Sequence, residues 1–494
     1  MILFLRGHTY KYESEKVCRI FFPTAKITFA EENAPEAADE DRVIAEKKET
    51  ENGAVYACTA VVGGKTAFAA VKEDPSKAEL IEENALAAAM LQALGELTGI
   101  TPPWGILTGV RPSKLMRKLI AQRGEAQAVR SFQTELQVSP SKTELARRVA
   151  LAENDAVALS RPDSCSLYVA IPFCPTRCSY CSFVSHSIAS AKKLIPDYVR
   201  LLGEELRQTA AIVRELGLRL ETVYFGGGTP TSLSAADLAA LLDTVNASFD
   251  MTGVREFTVE AGRPDTVDEE KLRVLKNGNV GRISINPQTF SDAVLENIGR
   301  KHTAADIEEK YLLARKTGFD NINMDLIAGL AGDTPEGFAA TVDRAITLAP
   351  ENITVHTLAL KRAADLVTGG GETGSADHTP QMVEYANAAL SAAGYAPYYM
   401  YRQSKSLGNL ENVGWTVPGK ACLYNIYMME ETHTVLACGA GAVTKLKAPF
   451  GELIERIYNF KYPYEYISRF PELTARKAQI AEFYVQNGKE HTDG

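Results

Sequence analysis

The sequence predicts an α/β fold, a partial (β/α)6 barrel with an N-terminal α+β module and a C-terminal mostly helical α+β region. Two observations support this prediction. From residue 163 onward, apolar strand-like segments alternate with segments of helical length, which is typical of parallel strands joined by crossover helices. Unusual residues also follow one strand after another, and in α/β barrels the loops after the strands meet at one mouth.

The barrel prediction rests on six candidate strands, too few for a closed eight-stranded barrel but enough for an open or partial one. Cysteines follow the first strand, a GGGTP turn follows the second, and Glu260 ends the third. Gln288 comes after the fourth, and Asp325 lies near the end of the fifth. The strands are predicted at residues 166–171, 222–226, 256–260, 282–285, 321–326 and 352–358.

Three regions are predicted along the chain. Residues 1–150 form an α+β module of unknown role, residues 163–375 form the core, and residues 381–494 form a region that covers the substrate. A glycine-rich stretch at 368–380 reads as a linker between the second and third regions. The third region contains a periodic helix, an aromatic run and a strand-like segment, and its closing part is helical.

The N-terminal module combines short strands with one strongly periodic helix. Gly63-Gly64 joins two of the strands as a two-residue hairpin turn. The acidic stretch at 31–52 is poor in aromatic residues, so a solvated loop or an exposed helix is expected there. Strands are predicted at 17–22, 54–62 and 66–72, and the helix at 78–97.

Charge and hydropathy exclude several classes of partner. The net charge of -9 gives no reason to expect nucleic acid, because phosphate binding requires a concentrated basic surface. No stretch of about 18 apolar residues is present that would span a bilayer. The opening MILFLRGHTYKY is too short for a secretory signal. We therefore expect a cytoplasmic protein without a membrane span.

Three cysteines lie close together in the CxxxCxxC spacing of Cys174, Cys178 and Cys181. In a reducing compartment, clustered cysteines more often bind metal or perform redox chemistry than form disulfides. Three thiolates can hold three corners of a cubane iron–sulfur cluster, which leaves one iron open. Zinc remains an alternative, with His186 as a fourth ligand. Small buried side chains are expected at the dispersed cysteines, Cys18, Cys58, Cys165, Cys422 and Cys438.

The cysteine loop, with the strand YVAIPFC before it, resembles the signature of radical S-adenosylmethionine (SAM) enzymes. Together with YFGGGTPTSL, it resembles the oxygen-independent coproporphyrinogen III oxidase family. The later segments YMYRQSKSLGNLENVGW and CLYNIYMMEETHTVLACGAGAVTK resemble the HemZ-type coproporphyrinogen dehydrogenase branch of that family. The resemblance covers roughly residues 163 to 450.

The resemblance implies a 4Fe-4S cluster on the three cysteines, with SAM on the open iron. Tyr168 falls on a family position that contacts SAM, and Tyr180 is the aromatic residue before the last cysteine. Three glycines after a strand would also let backbone amides approach a ligand closely. The remaining implied cofactor positions are Gly227, Gly228, Thr229, Glu260, Gln288, Arg300, Asp325, Ala359 and Val443.

The implied reaction is an anaerobic oxidative decarboxylation in heme biosynthesis. A 5'-deoxyadenosyl radical would remove hydrogen from propionates of coproporphyrinogen III, and loss of carbon dioxide and an electron would leave vinyl groups, giving protoporphyrinogen IX. The implied partners are a porphyrinogen or another tetrapyrrole and an electron donor such as a flavodoxin or ferredoxin. The protein would fix the cofactor, orient the propionate and exclude water.

Two departures from the family pattern keep other functions open. Phe183 stands where the converting enzymes carry another cysteine, and related heme chaperones also lack that cysteine. Those chaperones have a histidine-containing HNxxYW-like stretch, whereas NLENVGW at 409–415 has no histidine. The alternatives are a heme chaperone on the same scaffold and a radical SAM enzyme acting on another tetrapyrrole, such as a methyltransferase or a ring-opening enzyme.

Two further candidates have competing interpretations. His356 lies on an apolar strand, where a lone histidine is more often part of the core than of a site, so a core position is favoured. The run YAPYYMYRQ offers aromatic faces to a tetrapyrrole, with Arg402 for a propionate. An aromatic stripe is nonetheless more often packing.

Overall fold

The computed structural model describes residues 1–30, 40–51, 53–73, 81–181, 185–359, 377–403 and 405–488. The chain divides into two compact units, residues 1–151 with 401–411, and residues 152–400 with 412–494. Phe183 and most of the predicted linker lie outside the described residues. No helix in the described ranges is long and apolar enough to cross a membrane.

The first unit contains a five-stranded sheet in the order β2-β1-β3-β4-β5. The predicted hairpin is present, with Gly63 and Gly64 at φ of 56° and 74°, values that favour glycine. Strand β1 is parallel to β2 and β3, and the other pairs are antiparallel. The strands are β1 (Ile2–Arg6), β2 (Thr28–Phe29), β3 (Arg42–Thr50), β4 (Gly53–Val62) and β5 (Lys65–Lys72).

Two expectations for this unit were wrong. Residues 17–21 belong to helix α1 (Lys11–Phe21), whose buried residues at positions 14, 17, 18 and 21 form one helical stripe. The predicted strand began at residue 17, so the helical spacing of buried residues that starts before it was not recognised. Residues 42–50 form β3 rather than a loop or helix, because Val43, Ile44 and Ala45 enter the core while the charged residues after them remain more exposed.

Four further helices include the predicted periodic one, which packs its apolar face on the sheet together with α1. The segment 401–411 returns to this unit, where Glu411 is fully buried. Lys142 Nζ donates to one of its carboxylate oxygens at 2.5 Å, and Trp104 Nε1 donates to the other at 2.8 Å. The helices are α2 (Glu82–Thr98), α3 (Pro112–Arg123), α4 (Glu125–Arg130) and α5 (Pro140–Leu159), of which the last continues into the second unit.

Arg402 is not available to a ligand carboxylate. The residue is 4% exposed, and its guanidinium donates to the carbonyl oxygens of Leu107 and Asn409. The same group lies 5.3 Å from the ring centroid of Trp104. Tyr398 and its neighbours in the aromatic run are also buried, so packing is the correct interpretation of YAPYYMYRQ.

The second unit contains the predicted (β/α)6 arrangement. Six parallel strands lie side by side in the order β13-β12-β11-β10-β9-β6, and helices connect them. The strands are β6 (Ser164–Ile171), β9 (Arg219–Gly227), β10 (Glu256–Glu260), β11 (Arg282–Ser284), β12 (Ile322–Ala328) and β13 (Asn352–Thr357). The helices are α7 (Ile195–Glu215), α8 (Ala235–Ser248), α9 (Glu269–Asn277), α10 (Asp292–Asn297), α11 (Ala304–Lys316) and α12 (Pro335–Leu348).

Strands from the C-terminal region extend the same sheet at both ends. Strand β16 (Thr434–Cys438) pairs parallel with β6, and β17 (Val443–Lys447) and β18 (Ile454–Tyr458) follow as antiparallel neighbours. At the other end lie β15 (Glu411–Thr416), antiparallel to β13, and β14 (Ala396–Arg402). The helices are α13 (Thr379–Ala392), α14 (Leu423–Glu430), α15 (Pro463–Ser468), α16 (Phe470–Arg476) and α17 (Ala478–Asn487). The three-region division and the substrate-covering role stay predictions.

Candidate functional site

The cysteine loop leaves the carboxyl end of β6. A short parallel pair, β7 (Phe173–Cys174) and β8 (His186–Ser187), supports its two sides, and helix α6 (Ile188–Ala191) follows. The amide of Thr229 donates to the carbonyl of Phe173 at 2.8 Å, and the amide of Cys181 donates to that of Cys178 at 3.1 Å. These backbone bonds fix the position of the loop against the end of β9.

The donor set of this loop fits a thiolate-bound cluster. Cys174 Sγ lies 3.5 Å from Thr229 Oγ1, and Arg263 Nη1 donates to Cys178 Sγ at 3.5 Å. Burial raises the pKa of the Cys174 thiol, which a bound metal would reverse because a coordinated thiol is deprotonated. The dispersed cysteines, by contrast, are all buried as expected.

A site for a single metal ion requires several ligands close to one point. No group of three His, Cys, Asp or Glu side chains in the described part of the chain is placed to hold one ion. A structural zinc site requires four ligands around one ion, whereas the thiolates of a cubane each bind a different iron and lie farther apart. The zinc alternative with His186 stays a prediction.

Gly226, Gly227 and Gly228, which we call the glycine loop, lie where neighbouring atoms approach too closely for most side chains. A Cβ atom at Gly228 would lie 2.7 Å from the carbonyl oxygen of Phe173 and 2.9 Å from that of Ile171. Gly227 has a φ of 108°, a conformation that side chains disfavour. A Cβ at Gly226 would lie 3.1 Å from Glu260 Oε1. The glycines therefore allow β9 to approach the cysteine loop and Glu260.

Glu260 ends β10 beside the glycine loop. Tyr224 OH donates to its Oε1 at 2.7 Å, and the Tyr224 ring stacks with those of Tyr168 and Tyr424. Burial raises the pKa of the Glu260 carboxyl to about 7, assisted by the negative charge of Asp325. A carboxyl with this pKa changes charge near neutral pH, and a ligand ammonium or hydroxyl placed against it would favour its ionised form.

We expect the free energy of unfolding of the cofactor-free protein to depend on pH through the Glu260 carboxyl. The folded-state pKa of about 7 exceeds the ordinary 4.5, so between these values the folded chain keeps a proton that the unfolded chain has released, and stability falls as pH rises. Glu260→Gln should remove this loss, on the order of 2 kcal/mol between pH 5 and 8. Urea unfolding at several pH values measures it. The exposed Glu270→Gln variant should keep the pH dependence of the wild type. A wild-type pH dependence in Glu260→Gln would show that Glu260 is not the group responsible.

Gln288 follows β11 by four residues and is bonded through its backbone to Asp325 of β12. Gln288 has a φ of 68°, unusual for a residue other than glycine, and its amide donates to the carbonyl of Asp325 at 2.9 Å. Burial alone would raise the pKa of the Asp325 carboxyl, but His356 and Asn323 hold it below its usual value. Asp325 lies within β12 rather than at its end, because the strand continues to Ala328.

The favoured core position for His356 was wrong. Its side chain is 26% exposed, and Nε2 lies 3.7 Å from Asp325 Oδ1. Asn323 Nδ2 donates to the same carboxylate oxygen at 2.7 Å. Asp325 pairs with Thr354 and Ile327 pairs with His356, so Asp325 and His356 lie two register positions apart on the same face of the sheet.

Two arginines support the cysteine loop, and the sequence identified only one of them. Arg300 Nη2 donates to Tyr180 OH at 3.1 Å, and its Nη1 donates to the carbonyl of Asn286 at 2.8 Å. Arg263 was missed. The guanidinium of Arg263 donates two hydrogen bonds to the Asp265 carboxylate, at 2.9 and 2.7 Å. These bonds orient its Nη1 toward Cys178. Its only sequence signal was a position three residues after the strand-ending Glu260.

A cavity of about 310 Å³ lies at the carboxyl ends of β6 and β9. The predicted residues Tyr168, Gly227 and Val443 line it together. Val443 begins β17, which runs antiparallel to β16 and so starts at the carboxyl end of the parallel strands. Ala359 follows β13 by two residues and is not among the lining residues. The residues that the sequence did not identify are Ala170, Pro172, Ala440, Gly441, Tyr458, Asn459 and Lys461.

Comparisons with known proteins agree with this geometry. Residues 168–345 match the family described as the Radical SAM superfamily. The oxygen-independent coproporphyrinogen-III oxidase-like protein HemZ of Bacillus subtilis is 39% identical over 416 residues, which cover 83% of this chain and 83% of HemZ. The heme chaperone HemW of the same organism is 39% identical over 194 residues, which cover 39% of this chain and 50% of HemW.

A solved structure shares the fold. Coproporphyrinogen III oxidase (HemN) from Escherichia coli is similar with a TM-score of 0.53 and 23% identity, covering 66% of this chain and 73% of HemN. This likeness confirms the predicted α/β fold class. The long alignment with HemZ extends the relationship well beyond the matched superfamily region. The chain therefore belongs to the radical SAM superfamily and, within it, to the HemZ-type branch of the oxygen-independent coproporphyrinogen III oxidase family.

Proposed function

We propose that this chain is a radical SAM oxidoreductase that converts propionate side chains of coproporphyrinogen III to vinyl groups without oxygen, giving protoporphyrinogen IX. The superfamily implies a 4Fe-4S cluster and SAM. The observation that carries the proposal is that the three-cysteine loop, the glycine loop and Glu260 lie at or directly after the ends of three adjacent parallel strands, β6, β9 and β10, with Tyr168 and Gly227 lining a cavity there. The electron donor, a flavodoxin or ferredoxin, rests on the family resemblance alone.

In this proposal Cys174, Cys178 and Cys181 hold the cluster. When bound, the cluster and SAM supply a 5'-deoxyadenosyl radical able to remove a hydrogen atom from a substrate carbon. The guanidinium of Arg263, 3.5 Å from Cys178 Sγ, offsets the negative charge of the thiolates. The half-buried phenol of Tyr180 and the guanidinium of Arg300 support another part of the loop.

The remaining residues position SAM. Gly227 and Gly228 leave room at the end of β9, and the Tyr168 ring lines the cavity beside them. Glu260 and Asp325 offer carboxylate oxygens to hydroxyl or ammonium groups, and Gln288 fixes the backbone of β12 next to Asp325. Thr229, Ala359 and Val443 complete the proposed set, Ala359 with the least structural support.

A heme chaperone is the second candidate, because two observations favour it. The heme chaperone HemW of Bacillus subtilis shares 39% identity over 194 residues with this chain. Phe183 also occupies the position of the additional cysteine that converting enzymes carry. In a chaperone the same cluster scaffold would bind heme without chemical conversion.

Mass spectrometry of an anaerobic reaction distinguishes the two. We expect reconstituted protein with reductant, SAM and coproporphyrinogen III to give 5'-deoxyadenosine together with monovinyl and divinyl products. Omission of the reductant is the control and should give neither. Stoichiometric binding of heme without 5'-deoxyadenosine or vinyl products would reject the oxidase proposal and support the chaperone.

A further inference from the structure

One side of the cavity comes from a segment to which no role has yet been given. Tyr458, Asn459 and Lys461 line the cavity together with Tyr168 and Gly227. The segment runs from the end of β18 to the start of α15. We define the aromatic rim as Tyr458, Lys461, Tyr462 and Tyr464. Because three residues of the segment line the cavity, the rim is continuous with the proposed SAM site.

The rim also adjoins the cysteine loop. The rings of Tyr462 and His186 meet edge to face with centroids 6.0 Å apart. His186 pairs with Phe173 across β7 and β8, one residue from Cys174, and its amide donates to the carbonyl of Pro172 at 2.9 Å. His186 Nε2 is buried and has no hydrogen-bond partner within the described residues. A ligand on the rim would therefore lie within reach of both the cysteine loop and the cavity.

The side chains of the rim present flat apolar faces and one positive charge. Tyr458 is 59% exposed and Tyr464 is 52% exposed. The Tyr462 and Tyr464 rings are stacked, with 5.5 Å between centroids and 7° between planes. Lys461 Nζ lies 5.5 Å from the centroid of the Tyr462 ring. Exposed aromatic rings beside a cavity are typical of a surface that packs against an apolar ring, and a neighbouring ammonium can bind a carboxylate carried by that ring.

The base of the rim is held rigidly. Glu205 on α7 is fully buried, and its carboxylate accepts from Asn459 Nδ2 at 2.8 Å and from Tyr466 OH at 2.7 Å. Lys477 Nζ lies 2.9 Å from the same carboxylate, and the amide of Gly439 donates to it at 2.8 Å. These bonds tie the segment after β18 to helix α7, so the rim is preorganised rather than formed by the ligand.

We propose that the aromatic rim binds a carboxylate-bearing tetrapyrrole, with the Tyr458 and Tyr464 rings against the macrocycle and the Lys461 ammonium on one peripheral carboxylate. This inference rests on the proposed function and names the substrate-binding part of that site. The pyrrole rings of a tetrapyrrole are flat and can pack against the tyrosine rings. Its propionates can accept from the Lys461 ammonium, for which the contacts of the described residues include no acidic partner.

Equilibrium binding of coproporphyrin III to the reconstituted full chain tests the proposal through the visible absorption of the porphyrin. We expect Lys461→Glu to raise Kd about tenfold or more, because a charge-assisted contact becomes a repulsion. Tyr458→Ala and Tyr464→Ala should each raise Kd roughly threefold to tenfold. The matched exposed residues of the first unit, in Lys65→Glu and Tyr12→Ala, should leave Kd unchanged.

The outcomes separate this inference from the proposed function. Unchanged Kd in all three rim variants, or no binding of coproporphyrin III by the wild-type chain, overturns the rim. Loss of binding in the variants, with no vinyl products from the wild-type reaction, keeps the rim and rejects the oxidase. Vinyl products together with unchanged Kd in the variants keep the oxidase and place its substrate elsewhere.

Discussion

Cys178→Ala is expected to lose both the broad visible absorption of the cluster and all reductive cleavage of SAM. Cys178 occupies the middle position of the three-cysteine loop and is 7% exposed. With three protein thiolates as the proposed set, removal of one leaves two, and two thiolates do not hold a cubane cluster whose fourth iron is already without a protein ligand. Iron and sulfide content, the visible spectrum and 5'-deoxyadenosine formation measure the effect.

Cys58→Ala provides the matched control. Cys58 is also buried, but it lies on β4 in the sheet of the first unit. Its replacement removes one small apolar group and should cost about 1–2 kcal/mol of stability while leaving iron content unchanged. A Cys178→Ala protein that stays brown and still cleaves SAM would show that the three cysteines do not hold the cluster.

Gly228→Ala is expected to displace the cysteine loop. The added Cβ would lie 2.7 Å from the carbonyl oxygen of Phe173 and 2.9 Å from that of Ile171, and both are backbone atoms that cannot rotate away. To relieve this clash, either the backbone that carries Cys174 or the chain after β9 must move. The second movement would stretch the bond from the Gly228 amide to the Ile171 carbonyl, which is 2.8 Å long. We expect a loss of roughly 2–4 kcal/mol in the free energy of unfolding and reduced cluster incorporation.

Gly281→Ala is the control for glycine replacement itself. Gly281 precedes β11, and a Cβ there would meet no atom within 4 Å. This variant should stay within about 1 kcal/mol of the wild type and load a full cluster. Denaturant unfolding measures the stability of both variants, and iron analysis measures their cluster content. Equal stability and equal iron content in Gly228→Ala and Gly281→Ala would contradict the packing role of the glycine loop.

The sequence by itself determined the features that depend on local pattern. Apolar segments of strand length alternating with helical segments predicted all six parallel strands, and the Gly63-Gly64 turn predicted its hairpin. The cysteine loop lies after the first of these strands, as predicted, while its role in holding a cluster stays a prediction. Each of these features is encoded within a few residues, so no knowledge of distant contacts was required.

The tertiary structure alone decided which distant residues meet. Residues 17–21 became part of a helix because their buried stripe packs on a sheet that the local window did not show. Arg402 became buried against Trp104 and donates to the carbonyl oxygen of Leu107, 295 residues before it in the sequence. Arg263 gained its position through Asp265 and Cys178. The cavity wall after β18 depends on Glu205 in a helix far upstream. Such contacts are set by packing between elements, and a linear pattern carries no record of them.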